Sequence, residues 1–330
     1  MVLSRILKEL NIQAKARNAF LMGAIYAVIG IVIGFILFPK NVGIVAVFFT
    51  SMAMMPPINS LIQQLAMREG REKEVKERGL KLTELKVTGH KFSLRQLWTD
   101  HKHLILVYTL SFFGVFMVFA LLVLVLPYPE NNYSGVIDFY YTNEFGEKEL
   151  LTTKNLFGEQ VSVFGGRATD NITGNAAGDA IRDCDSKECS FIGIVQNNLW
   201  VLVVAFIISL IYGFGAIFII TWNASVWGVA FAVQAITFAP IYGKDILTFF
   251  GLIMVVVIPH TLIEAMTYFT GAISGGITAQ GIAKESLVSE RFSQLVTQSL
   301  ILLIISLILL LIAAYLEVYV IEYLIDIFWN

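Results

Sequence analysis

The segment PHTLIEAMTYFTGAISGGITAQ (residues 259–280) places a histidine and a glutamate inside an apolar run of membrane length. His260, Glu264, Thr267, Gly271, Ser274 and Thr278 recur at steps of four, three, four, three and four, so a helix carries them as one polar, small-residue stripe. Leu262, Ile263, Met266, Phe269, Ile273 and Ile277 occupy the other faces. An ionisable group facing lipid is costly, so the stripe must face protein or water. Pro259 lacks an N–H and suits a first helical turn, which predicts a helix broken or kinked there, with a re-entrant arrangement of 246–258 as one alternative.

Outward from this segment, the chain reads as an all-α polytopic membrane protein of about seven transmembrane helices. Of its 330 residues 57% are hydrophobic and 15% charged, and the mean hydropathy is +0.73. The predicted spans are 19–38, 42–66, 104–126, 196–221, 224–241, a run from 246 to about 280, and 297–316. As one helix the sixth run would be about 50 Å long, against a core of roughly 30 Å. It is either broken at Pro259 or projects beyond the lipid. Pro56 and Pro57 predict a kink or an end to regular hydrogen bonding in the second span. Trp222-Asn223 is read as the end of the fourth span. The last span has almost no polar side chain and is expected to be surrounded by lipid.

Charge orients the chain. Residues 1–18 form a basic, amphipathic N-terminus, followed by a hairpin of two spans over 19–66. Residues 67–103 hold ten Lys/Arg against six Asp/Glu and form a charged helical linker, which the positive-inside rule places in the cytoplasm. Glu69 and Lys73, Glu72 and Lys76, and Glu77 and Lys81 are acid-first i,i+4 pairs that suit an exposed helix. After the span 104–126, residues 127–193 hold eleven Asp/Glu against five Lys/Arg and read as an extracellular loop region. It carries the sequons at Asn132 and Asn171 and the only two cysteines, Cys184 and Cys189. A disulfide between them would close a small loop; two free thiols are the alternative. Val136 to Tyr141 alternate as a strand does. Residues 194–330 form the transmembrane core, and its acidic end places the C-terminus outside.

No HExxH, GxSxG, phosphate-binding glycine loop or Cys/His cluster is present, so no enzyme, cofactor or nucleic-acid reading has a motif behind it. His260 and Glu264 sit one turn apart, where they can share a proton, bind a cation or hydrogen-bond each other. Two ligands do not make a metal site. The intramembrane polar candidates are Asn223, Gln234, His260, Glu264 and Thr267.

QNNLWVLVVAF (196–206), YGFGAIFIITWNASVWG (212–228) and IPHTLIEAMTYFTGAISGG (258–276) resemble the stage II sporulation protein M family. That family has an Asn-Asn span entry, a Gly-rich helix running into Trp/Tyr-Asn, and a His-Gly-x-x-Glu-like intramembrane step; here Thr261 replaces the usual glycine. LWTDHKHLI (97–105) and AAYLEVYVIEYL (313–324) resemble its longer, archaeal-type branch. The resemblance implies a membrane subunit, since the bacterial namesake works in an envelope-remodelling complex with a peptidoglycan hydrolase and a regulatory partner. The expected roles are therefore a non-enzymatic scaffold or anchoring subunit that meets protein partners through the outer loop or the linker, or a channel or permease with a polar path through Asn223, His260 and Glu264. Gly and Ala steps on several spans permit a homo-oligomer.

Overall fold

The computed structural model describes residues 17–79, 94–129, 132–142, 146–165, 186–212, 216–321 and 323–324. In chain order the elements are α1 (Asn18–Leu37), α2 (Val42–Gly79), α3 (Leu94–Val125), β1 (Tyr140–Thr142), β2 (Lys148–Leu150), α4 (Thr153–Gly165), α5 (Lys187–Tyr212), α6 (Ala216–Phe238), α7 (Ile246–Lys284), α8 (Glu290–Tyr315) and a π-helical turn, Leu316–Ile321. Seven helices among the described residues are long and apolar enough to cross a membrane, and the protein is an all-α polytopic membrane protein. Its outer faces agree. Leu21, Ile25, Val28, Val32 and Ile36 make an exposed apolar face on α1, and Leu300, Ile304, Leu307, Ile308 and Leu311 make one on α8. Contiguous apolar faces of this extent suit lipid rather than water.

One helix boundary differs from the sequence reading. The fourth span ends at Tyr212 and the next begins at Ala216, so Trp222 and Asn223 lie inside α6 instead of ending a helix. The intervening sequence Gly-Phe-Gly holds two residues of poor helix propensity, a stronger punctuation than Trp-Asn. Of the two arrangements expected for the sixth run, a break at Pro259 or one long helix, the structure has the second: α7 runs helical through Pro259 from Ile246 to Lys284, about 58 Å by its residue count. Likewise α2 continues through Pro56 and Pro57 to Gly79. One proline removes one hydrogen bond, whereas ending a helix within hydrocarbon strands several backbone groups without water, so continuity is the cheaper arrangement. Finally, α8 is not ringed by lipid. One face packs along α7, with Ser299, Leu302, Ser306, Leu310 and Ala313 buried.

The segment read as an outer loop is more structured than expected. The strand is three residues long and starts at Tyr140, pairing antiparallel with β2 through Tyr140↔Leu150 and Thr142↔Lys148. Residues 136–139 are exposed and outside it. Helix α4 buries Leu156, Phe157 and Gln160 against α2, α3 and α6, and Phe157 meets Phe119 of α3 at 5.1 Å between ring centres. Gln160 donates from Nε2 to Ser225 Oγ at 3.4 Å. Asn132 is exposed at φ 53°, in a turn. Residues 1–16, Asn171 and Cys184 lie outside the described residues; Cys189 lies in the first turn of α5, its N–H donating to Ser186 Oγ.

Asp245 caps α7 by accepting from the Thr248 N–H at 2.9 Å. Hydrogen bonds from the Thr248 hydroxyl and N–H hold this carboxyl below the usual carboxylate range. A depressed folded-state value contributes stability above the unfolded-state value, lost as pH falls through the folded one. Asp245→Ala should therefore lower the thermal midpoint at neutral pH, with the difference from the native chain shrinking under acid, as a melting series across pH would record.

Candidate functional site

His260, Glu264 and Tyr268 stand one helical turn apart along α7; the first two belong to the predicted stripe, and Tyr268 was not among its residues. Tyr268 donates its hydroxyl to Glu264 Oε1 at 2.6 Å. A third group joins them from a distant part of the chain. Glu317, in the π-turn that follows α8, brings a carboxylate oxygen to within 4.8 Å of ligand atoms of both His260 and Glu264. His260 is 8% exposed, Glu264 5%, and Glu317 is partly buried. His260 Nδ1 is buried without a hydrogen-bond partner. No Lys or Arg pairs with either carboxylate among the described residues, and Glu264 is a charge that acts on Glu317.

Packing explains why the three meet. Helices α7 and α8 form an antiparallel pair around residues 285–289, and the buried face of α8 runs Ser299, Ser306, Leu310, Ala313, then Glu317, at steps of seven, four, three and four. Glu317 thus extends the stripe that faces α7. That spacing was readable in the sequence, but Glu317 sits at the acidic chain end and reads there as solvated. A π-turn adds a residue to the helical turn and recurs at functional sites. Helix α5 closes the site: Ile194 packs with Ala314 and Val318, and Leu202 with Tyr268 and Leu310. Asn198 lies buried on the same face of α5.

The rest of the stripe holds helices together. Thr267 donates to its own helix at Ile263 O. A Cβ on Gly271 would stand 2.2 Å from Leu202 Cδ1, and one on Gly275 would stand 2.4 Å from Phe206 O, so both glycines admit α5. Ser274 Oγ donates to Ser299 O at 2.7 Å, Ser299 Oγ to Ser274 O at 2.9 Å, and Thr278 Oγ1 to Ser299 Oγ at 2.6 Å. Ser299→Ala removes two of these interhelical bonds; at about 0.6–1.7 kcal/mol for each such bond in a membrane, a loss of roughly 1–3 kcal/mol is expected in a denaturant titration in detergent.

Asn223 and Gln234 do not join the cluster. Asn223 Nδ2 donates to Ile219 O at 2.8 Å within α6, and Gln234 is buried on the same helix. No hydrogen bond links either to His260, Glu264 or Glu317 among the described residues. The groups that come together are His260, Glu264 and Tyr268 on α7 and Glu317 on the π-turn.

The sequence model of the family described as Stage II sporulation protein M matches residues 24–321. No curated protein and no solved structure matches the chain.

Proposed function

The chain belongs to the stage II sporulation protein M family, and from its buried cluster we propose that it is a permease or channel handling protons or small cations, not an enzyme. One observation carries this: two carboxylates and an imidazole converge within 4.8 Å inside membrane-spanning helices, without a Lys or Arg to balance them among the described residues. A purely structural hydrogen-bonded pair needs only His260 and Glu264. The second carboxylate adds repulsion that packing alone would not retain, and ionisable groups at this depth ordinarily serve an ion or proton path.

The cell membrane is the proposed location, with the N-terminus and the 67–103 linker in the cytoplasm and the C-terminus outside, as the charge asymmetry favours. The same orientation supports a Cys184–Cys189 disulfide and glycans at Asn132 and Asn171. A second reading, a scaffold or anchoring subunit of an envelope complex, is favoured by the reach of α2. Its 38 residues amount to about 57 Å and exceed a bilayer core, leaving an arm for a protein partner or a second copy.

The test combines access and flux. Single replacements Asn223→Cys, His260→Cys, Glu264→Cys and Gly271→Cys are made in a chain with Cys184 and Cys189 changed to serine, and an impermeant thiol reagent is applied to membranes from each side. Proton and cation flux is measured in vesicles holding the native protein. Labelling at 260 and 264, protection at 223 and 271, and native flux that Glu317→Gln abolishes are expected. Complete protection together with absent flux would transfer the assignment to the scaffold.

A further inference from the structure

We propose that His260, Glu264 and Glu317 form a binding site for one divalent first-row transition metal ion of the Zn²⁺ or Mn²⁺ kind. The inference rests on the reading that the cluster handles cations, and it specifies the cation.

The donor set selects the class. One imidazole nitrogen with two carboxylate oxygens mixes the ligand that suits zinc and iron with the ligand that suits manganese, whereas calcium and magnesium take oxygen alone. The charges also match. Two carboxylates neutralise a divalent ion, so a loaded site is formally neutral in surroundings where net charge is expensive. Three protein ligands leave a position open for water or an exchanging group, the arrangement of metal sites that act rather than merely brace a fold.

A separate observation points to a ligand. His260 Nδ1 is buried without a partner, and an unsatisfied nitrogen in a dry interior carries a cost that a metal bond removes. Tyr268 supplies the outer support: by donating to Oε1 of Glu264 it fixes that carboxylate and leaves Oε2 free. The donor atoms lie up to 4.8 Å apart, and bonds of about 2.0–2.2 Å to one ion need them roughly 3–3.5 Å apart, a closure that rotation of two glutamate side chains supplies. The π-turn holds Glu317 at the junction where α8 ends, and so delivers a third ligand that neither helix alone could provide.

The experiment uses the full chain in lipid nanodiscs, stripped with a chelator and titrated with Zn²⁺ or Mn²⁺ alone, bound metal being counted by elemental analysis and affinity read by calorimetry. About one ion per chain is expected. His260→Gln, Glu264→Gln and Glu317→Gln should each weaken binding by well over tenfold, and Tyr268→Phe by about 10- to 100-fold, the usual loss for an outer-shell partner. Gly251→Ala, on the same helix but with nothing within 4 Å of an added Cβ, should bind as the native chain does. All variants are first required to elute as the native protein does and to melt cooperatively. A folded native chain that binds neither ion overturns the proposal, as does binding that the three ligand variants leave unchanged. The two levels separate cleanly: proton flux that depends on Glu317 without metal binding overturns the metal site while the permease reading stands. Metal binding without any flux supports the site and removes that reading.

Discussion

Gly114→Leu is expected to be the most damaging single substitution between α1 and α3, lowering stability by about 3 kcal/mol or more, at or beyond the upper end of overpacking costs. A Cβ at 114 would stand 2.1 Å from Phe20 O and 2.9 Å from Ala24 N, and one at Gly23 would stand 2.2 Å from Ser111 O. Each glycine thus receives the backbone of the other helix. Backbone cannot swing aside as a side chain can, so any added carbon forces the helices apart. Lipid tails are as apolar as leucine, and the association of helices in a membrane rests on such close packing. The separation would also disturb Tyr26 and Met22 on α1 and Phe112 on α3, all buried in the same core. Gly251→Ala is the matched control. Nothing stands within 4 Å of a Cβ at 251, and alanine is the better helix former by about 1 kcal/mol. Paired melts in one detergent should show a large fall for 114 and no fall for 251; equal behaviour would contradict the interhelical contact.

Glu317→Gln is expected to do the opposite, stabilising the metal-free protein while abolishing its flux. Two like charges within 4.8 Å of each other repel by about 3 kcal/mol or more at an effective dielectric of roughly 20, a cost the native site carries either as repulsion or as the protonation of one carboxylate. Glutamine keeps the shape and a hydrogen-bonding end while removing that repulsion. Glu264 would then face His260 and Tyr268, both able to donate to it. Structural ion pairs lose stability when one partner is removed, so a gain of stability with a loss of function is the mark of a site kept for its activity. The measurement is a chelated thermal melt alongside the vesicle assay. A clear fall in stability would instead place Glu317 in the packing.

Much of this architecture was legible residue by residue. The 3.6-residue recurrence from His260 to Thr278 predicted a stripe turned away from lipid, toward protein or water, and His260, Glu264, Thr267 and Ser274 are all buried. The apolar runs predicted seven spans, and the first, second and third were placed within a few residues. The fourth and fifth were misplaced at their junction because Trp222-Asn223 looks polar, while the amide of Asn223 is satisfied by Ile219 O inside its own helix. At Pro259 the sequence left a break and one long helix as alternatives. What keeps α7 helical there is the lack of water to satisfy a broken end, a property of the surroundings and not of the residue.

Local pattern, then, determined the class of protein, the number of spans and the face of α7 that turns inward, because hydropathy and helical periodicity act over tens of neighbouring residues. Only tertiary packing decided which groups share the site. Glu317 lies 53 positions from Glu264 and inside a run that reads as a solvated acidic end. The antiparallel docking of α8 on α7 through Ser274, Thr278 and Ser299 is what carries it into contact with His260. A pair of residues that the sequence leaves as two ligands becomes a set of three because the meeting of helix faces is set by long-range shape, which no local periodicity encodes.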